Sequence, residues 1–257
     1  MSEKKILFEV QGVQKEFPGG ITALDGVDLA IYEGECLLVA GANGSGKTIL
    51  MRIITGLVEP SGGTVFFRGE ALENALKKNA LFRRQVGLVF QDAEAQFVGE
   101  TVEEDAAFGP SNLNLSKAEI EARVTSALEK MGLTEKRKLH PRRLSGGEKR
   151  RLAVAGVLAM GCGIIIMDEP FANLDHPGVV QVLEIIQTLK QEGTTLIILS
   201  HELEKILAFA DRLLILYRGR IREDGKPEEV LNRLRPEYGV RDPRRSYKTV
   251  KDCSWLE

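Results

Sequence analysis

The sequence is poor in cysteine and in aromatic residues, and it carries no excess of charge of either sign. Its three cysteines, Cys36, Cys162 and Cys253, are far apart and lack metal-type spacing, which excludes a disulfide scaffold and suits a reducing compartment. The 35 basic and 37 acidic residues nearly balance, which argues against a nucleic-acid partner. No apolar run approaches the ~18–20 residues that cross a bilayer, and no signal peptide is expected. We therefore predict a globular protein that cannot cross a membrane by itself.

What is present is an ordinary globular composition, with 43% hydrophobic and 28% charged residues among 257, enough to bury a large core. Apolar runs typical of strands alternate with helical patterns, including a predicted helix over residues 116–131. Strands are predicted over residues 6–10, 27–31, 35–40, 64–68, 86–90, 163–168, 194–200 and 212–217. Because buried strands separated by helices form parallel sheets covered on both faces, we expect an α/β fold with a mostly parallel sheet.

A glycine-rich segment matches G-x-x-x-x-G-K-[ST] between an apolar strand and a helix. Its residues are Gly41, Ala42, Asn43, Gly44, Ser45, Gly46, Lys47 and Thr48. Glycines let backbone N–H groups converge on phosphate oxygens, and the helix start adds partial positive charge. Lys47 supplies a full charge for the β- and γ-phosphates, and Thr48 offers a hydroxyl to Mg²⁺. The strand and helix context favours a nucleotide-binding loop over a chance glycine-rich turn.

Two acids, Asp168 and Glu169, follow the apolar run at residues 164–167. A parallel strand delivers such side chains to its carboxyl end, where ligands bind in open α/β sheets. Neighbouring strand residues face opposite ways, so Asp168 suits the Mg²⁺ shell and Glu169 suits polarising an attacking water. Pro170 is expected to hold Glu169 extended. A helix cap or surface acid is the alternative reading, and the phosphate loop upstream argues against it.

A second glycine motif, Ser145, Gly146 and Gly147, lies between Leu144 and Glu148 at the start of a predicted helix. Ser145 at the N-cap and Glu148 three residues later form a capping box, which is a complete local explanation of both. It does not explain the two glycines, each of which costs roughly 0.5–1 kcal/mol in a helix relative to Ala. Two bare N–H groups beside a serine hydroxyl make a second anion site.

Along the chain the phosphate loop comes first, then the segment Ser145–Gly147, then the pair Asp168 and Glu169, and then a histidine, His201. In this order the motifs resemble those of the ATP-binding subunits of ATP-binding-cassette (ABC) transporters, and the resemblance extends from about Ile6 to Leu234. The resemblance implies a P-loop NTPase ABC cassette over residues 1–234, with an N-terminal antiparallel β region and a helical subdomain at about 92–160. It further implies a head-to-tail dimer with a second, identical or paralogous, ATPase chain. ATP would lie between the phosphate loop of one chain and the segment Ser145–Gly147 of the other. Residues 235–257 form a tail, either a loosely ordered end or an additional dimer contact favoured by Tyr238, Tyr247 and Trp255.

The resemblance assigns further positions. Gln91 matches the glutamine that touches Mg²⁺ and senses the membrane partner, and His201 matches the histidine that registers the γ-phosphate. Asp175 matches a loop that crosses the dimer interface, and Phe17 matches the aromatic residue that stacks on adenine. Purely structural alternatives remain open for three of these residues. Gln91 would be a polar residue at a strand end, His201 a helix cap or surface residue, and Phe17 a core or turn aromatic. With Glu169, His201 and Lys47 as catalytic groups, and Thr48, Gln91 and Asp168 near the metal, we expect an active ATPase.

Residues 90–97 and 101–110 are similar to the energy-coupling-factor (cobalt, nickel or vitamin importer) ATPases. This similarity implies a groove for a transmembrane scaffold subunit, a further substrate-binding membrane subunit, and a peripheral location on the cytoplasmic face of the cell membrane. We expect Phe97 and Val98 to anchor a partner helix and an acidic groove to attract basic coupling helices. A solvated helix start is the alternative for this segment. A soluble ABC ATPase not coupled to transport, and a regulatory module that does not hydrolyse ATP, are the alternative functions.

Overall fold

The computed structural model describes residues 5–78, 80–91 and 96–244. Within these ranges the strands are β1 (Ile6–Phe17), β2 (Ile21–Tyr32), β3 (Cys36–Ala40), β4 (Gly62–Phe67), β5 (Glu70–Ala71), β6 (Val86–Val89), β7 (Ile164–Asp168), β8 (Thr195–Leu199), β9 (Arg212–Tyr217) and β10 (Arg220–Gly225). The helices are α1 (Lys47–Ile54), α2 (Leu72–Lys78), α3 (Ala80–Gln85), α4 (Val102–Ser111), α5 (Lys117–Lys130), α6 (Gly146–Met160), α7 (His176–Gln191), α8 (Leu203–Ile206) and α9 (Pro227–Asn232). None of the helices in these ranges is both long and apolar enough to cross a bilayer.

The described strands form two sheets. The larger sheet has the order β10-β9-β3-β8-β7-β6, in which β9, β3, β8, β7 and β6 run parallel and β10 is antiparallel at the edge. The smaller sheet has the order β2-β1-β4-β5 and is antiparallel. The predicted α/β class with a mostly parallel sheet and an N-terminal antiparallel region is confirmed. Because β3, β6, β7 and β8 are parallel, their carboxyl ends meet at one edge of the sheet.

The central strands are buried on both faces, and their alternation sorts side chains into two cores. On β3, Leu37 and Val39 pack into the core shared with the antiparallel sheet and α1. Leu38 and Ala40 pack into the core shared with the helices that follow β6 and β7. Every residue of β3, β7 and β8 is buried, which explains why these strands read as continuous apolar runs.

The helices α4, α5 and α6 pack on one another between β6 and β7, within the segment predicted as a helical subdomain. Each begins at a capping box, formed by Thr101 with Glu104, Ser116 with Glu119, and Ser145 with Glu148. These caps satisfy backbone N–H groups that have no partner inside the helix, so the helix starts are set locally by the sequence.

Two parts of the fold differ from the predicted pattern. The strands β1 and β2 form a hairpin more than twice as long as the predicted runs, because its polar positions also pair across the ladder.

Packing also continues beyond Leu234, since Tyr238 and Val240 are buried in the core and the Tyr238 ring lies 5.7 Å from the Tyr217 ring. Cys253, Tyr247 and Trp255 lie outside the described residues, and an additional dimer contact of the tail stays a prediction.

Candidate nucleotide-binding site

The predicted phosphate loop connects β3 to α1, and its glycines stand where a side chain does not fit. Gly41 has φ of +152°, and a Cβ there would lie 2.2 Å from the carbonyl oxygen of Leu216. Gly46 has φ of +108°, and a Cβ there would lie 2.6 Å from the carbonyl oxygen of Ala23. These conformations and close approaches are available only to glycine, so the loop can present its backbone without intervening side chains.

Two side chains of the loop are buried with their polar atoms turned inward. Nζ of Lys47 donates to the carbonyl oxygens of Gly41 at 2.7 Å and Ala42 at 3.2 Å. Burial lowers the pKa of Lys47, and the nearby Glu169 and Asp168 oppose that shift. Oγ of Ser45 is buried and has no hydrogen-bond partner among the described residues. A buried hydroxyl without a partner is rare in folded proteins, so this atom fits a cradle for phosphate oxygens.

Asp168, at the end of β7, contacts the first turn of α1. Its Oδ2 accepts a hydrogen bond from Oγ1 of Thr48 at 2.9 Å. Burial raises the pKa of Asp168 and the charge of Glu169 adds to the rise, while the Thr48 hydroxyl and Lys47 lower it. The structure has no group of three or more metal-binding His, Cys, Asp or Glu side chains in the parts of the chain that it describes. The hydroxyl of Thr48 and the carboxylate of Asp168, side by side, fit Mg²⁺, which is commonly held by one or two carboxylates together with phosphate oxygens.

Glu169 is a buried carboxylate held by residues at the end of β8. Its Oε1 lies 2.9 Å from Nδ1 of His201, and its Oε2 accepts from Oγ of Ser200 at 3.3 Å. The expectation that Pro170 holds Glu169 extended is wrong, because Glu169 has φ of +48°. The chain turns sharply here, since the N–H of Ala172 donates to the carbonyl of Glu169 at 3.1 Å, with Pro170 at the second position of the turn. Such strained backbone costs of order 1–3 kcal/mol and clusters at functional sites.

The predicted catalytic and metal-binding residues line one cleft of about 410 Å³. The predicted residues along its wall are Phe17, Asn43, Gly44, Ser45, Gly46, Lys47, Thr48, Gln91, Asp168, Glu169 and His201. Phe17 is 36% exposed at the rim, with Nζ of Lys15 5.3 Å from its ring centre, so its face is available for stacking. Gly41 and Ala42 lie behind this wall and contribute carbonyl groups to Lys47.

The second glycine motif and Asp175 lie outside the wall of that cleft. Ser145 caps α6 by accepting from the N–H of Glu148 at 3.3 Å, while the Glu148 carboxylate accepts from the N–H of Ser145 at 2.9 Å. Asp175 caps α7 by accepting from the N–H of Gly178 at 3.0 Å. A Cβ on Gly146 would lie 3.8 Å from the carbonyl oxygen of Asn173, so this helix start faces the loop before α7. The second glycine motif of this chain therefore does not line the cleft that contains its own phosphate loop.

The described surface beside residues 96–110 does not match the acidic groove that we expected. Val98 is exposed and Phe97 is half-buried, but the adjacent surface groove is lined by Glu100 with Lys138, His140, Arg142 and Arg143. The acids at the start of α4 are already engaged: Glu103 pairs with Arg137 and Lys138, and Asp105 accepts from the N–H groups of Val98 and Gly99. Among the described residues this surface is therefore more basic than acidic. Residues 92–95, part of the same prediction, lie outside the described residues.

Sequence reasoning missed two side chains that contact the predicted site residues or their neighbours. Ser200 is buried and donates to Glu169, and only its place directly before His201 at the end of β8 could have indicated this. Arg150 on α6 donates to the carbonyl groups of Phe90 and Gln91, both at 2.7 Å. That contact joins residues 60 positions apart, so no local pattern reveals it.

The phosphate loop, the carboxylate pair and the parallel sheet define a P-loop nucleotide-binding domain. The family model described as "ABC transporter" matches residues 24–172. The energy-coupling factor transporter ATP-binding protein EcfA of Methanococcus maripaludis is 37% identical over 226 residues, 88% of this chain and 81% of that protein. The cobalt import ATP-binding protein CbiO of Rhodobacter capsulatus is 42% identical over 216 residues, 84% of this chain and 77% of that protein.

A solved structure of an ABC transporter component is also similar to this chain. The structure of cbiO1 from Clostridium perfringens, described as part of the ABC transporter complex cbiONQ, has a TM-score of 0.80 and 32% sequence identity. The alignment covers 89% of this chain and 92% of that one. The present chain therefore belongs to the ABC transporter ATP-binding family and is an ATPase of that family. The predicted resemblance to the energy-coupling-factor branch is confirmed by these relatives.

Proposed function

We propose that this ATPase powers a membrane importer of the energy-coupling-factor kind, one that takes up a metal ion or a vitamin. One observation carries the ATPase part: the same cleft holds Lys47, the Thr48–Asp168 pair and Glu169. It also holds the buried Ser45 hydroxyl, which has no partner in the part of the chain that the structure describes. The importer part is supported by the relatives, which are described as energy-coupling-factor and cobalt-import ATP-binding proteins and align along most of this chain.

Each group in the cleft has a role in ATP hydrolysis. Lys47 and the backbone of residues 41–48 bind the β- and γ-phosphates, and the Ser45 hydroxyl donates to a phosphate oxygen. Glu169 accepts a proton from the attacking water, and an N–H of His201, whose ring lies beside Glu169, donates to the γ-phosphate. Phe17 stacks on the adenine ring. Thr48, Gln91 and Asp168 would hold Mg²⁺, which neutralises charge on the phosphate oxygens when bound.

The remaining site residues act on a second chain. Ser145, Gly146 and Gly147 present a helix start outside their own cleft, and Asp175 lies in the loop beside it. A helix start with free N–H groups binds anions. We therefore assign these residues to the nucleotide held by a partner cassette in a head-to-tail dimer, identical or paralogous to this chain.

Coupling to transport needs a membrane partner. We propose that a transmembrane scaffold subunit docks beside Phe97 and Val98, and that a substrate-binding membrane subunit completes the importer. The exposed Val98, the half-buried Phe97 and the neighbouring charged groove support a protein contact here. The chain would then act at the cytoplasmic face of the cell membrane as a peripheral subunit.

Co-purification from detergent-solubilised membranes tests this function. We expect tagged wild-type chain to recover multi-spanning membrane proteins, which mass spectrometry identifies. Val98→Asp should lose them, whereas Leu57→Asp should keep them, since Val98 and Leu57 are similarly exposed, at 60% and 57%. Recovery of ribosomes or DNA without any membrane protein contradicts the proposed function, as does equal recovery with the Val98→Asp chain.

A further inference from the structure

Arg150 joins α6, the helix that Ser145 caps, to the cleft. It lies on α6, is only 3% exposed, and its guanidinium donates from Nη1 to the carbonyl oxygen of Phe90 and from Nη2 to that of Gln91. Both bonds measure 2.7 Å, which is short and charge-assisted. Gln91 lines the cleft, so one buried side chain of α6 holds the backbone from which this cleft residue projects.

The two ends of this connection belong to different sites. The start of α6, capped by Ser145, lies outside its own cleft, whereas Arg150 reaches the strand end that borders it. Arg150 lies five positions after Ser145 on one continuous helix, a distance of about 7.5 Å along the axis at 1.5 Å per residue. A helix of this length moves as a rigid element, so displacement of its first turn is transmitted to Arg150.

We propose that Arg150 is a positioning residue that couples the two nucleotide sites of the dimer. The inference rests on the proposed head-to-tail arrangement. When Ser145–Gly147 of one chain engage the nucleotide of its partner, α6 shifts and Arg150 moves the backbone of Phe90 and Gln91. The position of Gln91 on the cleft wall then either favours or disfavours hydrolysis in the chain's own cleft. Each site then reports its occupancy to the other through one hydrogen-bonded side chain.

The guanidinium geometry separates this role from simple packing. Arg presents a planar fork that bonds two acceptors at once, whereas Lys keeps the charge but offers a single ammonium. Arg150→Lys therefore weakens the hold on the two carbonyl groups without removing the positive charge. Arg151 is the matched control, because it lies next on α6 and its Nε is buried without a hydrogen-bond partner among the described residues.

The experiment compares wild type, Arg150→Lys and Arg151→Lys, each as the assembled pair of cassettes. ATPase rates are measured against ATP and against Mg²⁺. We expect wild type and Arg151→Lys to be cooperative, with Hill coefficients above 1. Arg150→Lys should fall towards a Hill coefficient of 1 and need more Mg²⁺ for half-maximal rate, with ATP affinity of the single chain unchanged. Wild-type cooperativity and Mg²⁺ dependence in Arg150→Lys would overturn the proposal.

Two further measurements test whether Arg150 acts through Gln91 and keep the proposal testable if Arg150→Lys does not fold. If Arg150 acts through Gln91, adding Arg150→Lys to Gln91→Ala should change cooperativity no further, and an additive effect contradicts the proposal. If Arg150→Lys does not fold, as judged by thermal unfolding, hydrogen exchange of wild type replaces it. We expect exchange over residues 86–91 to change when the pair binds ATP, and no change refutes the coupling. Absence of ATP-driven pairing in wild type contradicts the proposed function itself, whereas a cooperative pair indifferent to Arg150 contradicts only this inference.

Discussion

Nδ1 of His201 lies 2.9 Å from Oε1 of Glu169, so a half-exposed imidazole meets a buried carboxylate at the open edge of the parallel sheet. The second oxygen of Glu169 accepts from Ser200, which fixes the orientation of the carboxylate. The backbone of Glu169 also contributes, since its left-handed conformation turns the chain out of β7 while its N–H still donates to Leu199 at 2.9 Å. In the role of general base that we propose for it, a carboxylate held this firmly needs little reorganisation when it accepts a proton from the attacking water.

Glu169→Gln should keep ATP binding and slow turnover by roughly 10²–10⁴-fold, the range expected for loss of a general base. The amide preserves the size of the side chain but cannot accept the proton from water. Steady-state phosphate release and ATP binding are the two measurements. Glu202→Gln is the matched control, because Glu202 pairs with Lys205 and lies outside the wall of the cleft. Turnover within twofold of wild type in Glu169→Gln would remove this residue from the mechanism.

Ser45→Ala should weaken ATP binding without weakening the fold. The Ser45 hydroxyl is buried and has no partner among the described residues, so its removal relieves an unsatisfied group. A hydrogen bond to a charged phosphate is worth about 1.5–3 kcal/mol, which corresponds to a loss of affinity of roughly 10- to 150-fold. Thermal unfolding and nucleotide titration check the two halves, with Ser61→Ala as control because Ser61 contacts Glu16 away from the cleft. A lower melting temperature with unchanged ATP affinity would assign the hydroxyl a structural role.

Lys47→Ala should abolish ATP binding at micromolar concentrations. Nζ of Lys47 donates to the carbonyl groups of Gly41 and Ala42, and no other Lys or Arg lines the cleft within the described ranges. Equilibrium dialysis with labelled ATP measures the loss, and circular dichroism verifies the fold. Retained micromolar binding by a folded Lys47→Ala protein contradicts the assignment of the phosphate loop.

Local signals in the sequence predicted more of this site than long-range ones. The glycine-rich loop and the capping box at Ser145 depend on residues within a few positions, and the structure has them where the patterns indicate. The left-handed conformation of Glu169 and the reach of Arg150 to Phe90 depend on tertiary packing that no local pattern records. The strand β10 was missed for a related reason, since its exposed, charged positions carry no apolar alternation.

The acidity of Asp168 makes stability depend on pH. Burial raises its pKa above the ordinary 3.8, so the folded protein holds this proton more tightly than the unfolded chain does. As pH rises from 3.8 through the folded pKa, Asp168 ionises more readily in the unfolded chain than in the folded one, and the free energy of unfolding falls. Above the folded pKa this loss of stability stays constant. Asp168→Asn should raise the melting temperature of the nucleotide-free protein at neutral pH, with the difference vanishing towards pH 3.8, while Mg²⁺-dependent turnover is lost. Thermal unfolding between these limits checks the sign, and a less stable variant at neutral pH contradicts it.

Ser145→Arg should block hydrolysis by the assembled pair while leaving ATP binding by the single chain intact. The large cation would occupy the helix start that we assign to the partner's nucleotide. The substitution also removes an N-cap, which alone costs about 1 kcal/mol, so the loss of activity needs a control with the same structural defect. Ser116→Arg provides it, because Ser116 caps α5 with the same reciprocal bonds to a glutamate three residues later. We expect both variants to melt slightly below wild type and only Ser145→Arg to lose phosphate release. If both variants hydrolyse ATP at the wild-type rate, the two chains do not share a site at this helix; if both lose activity, the capping defect explains the loss.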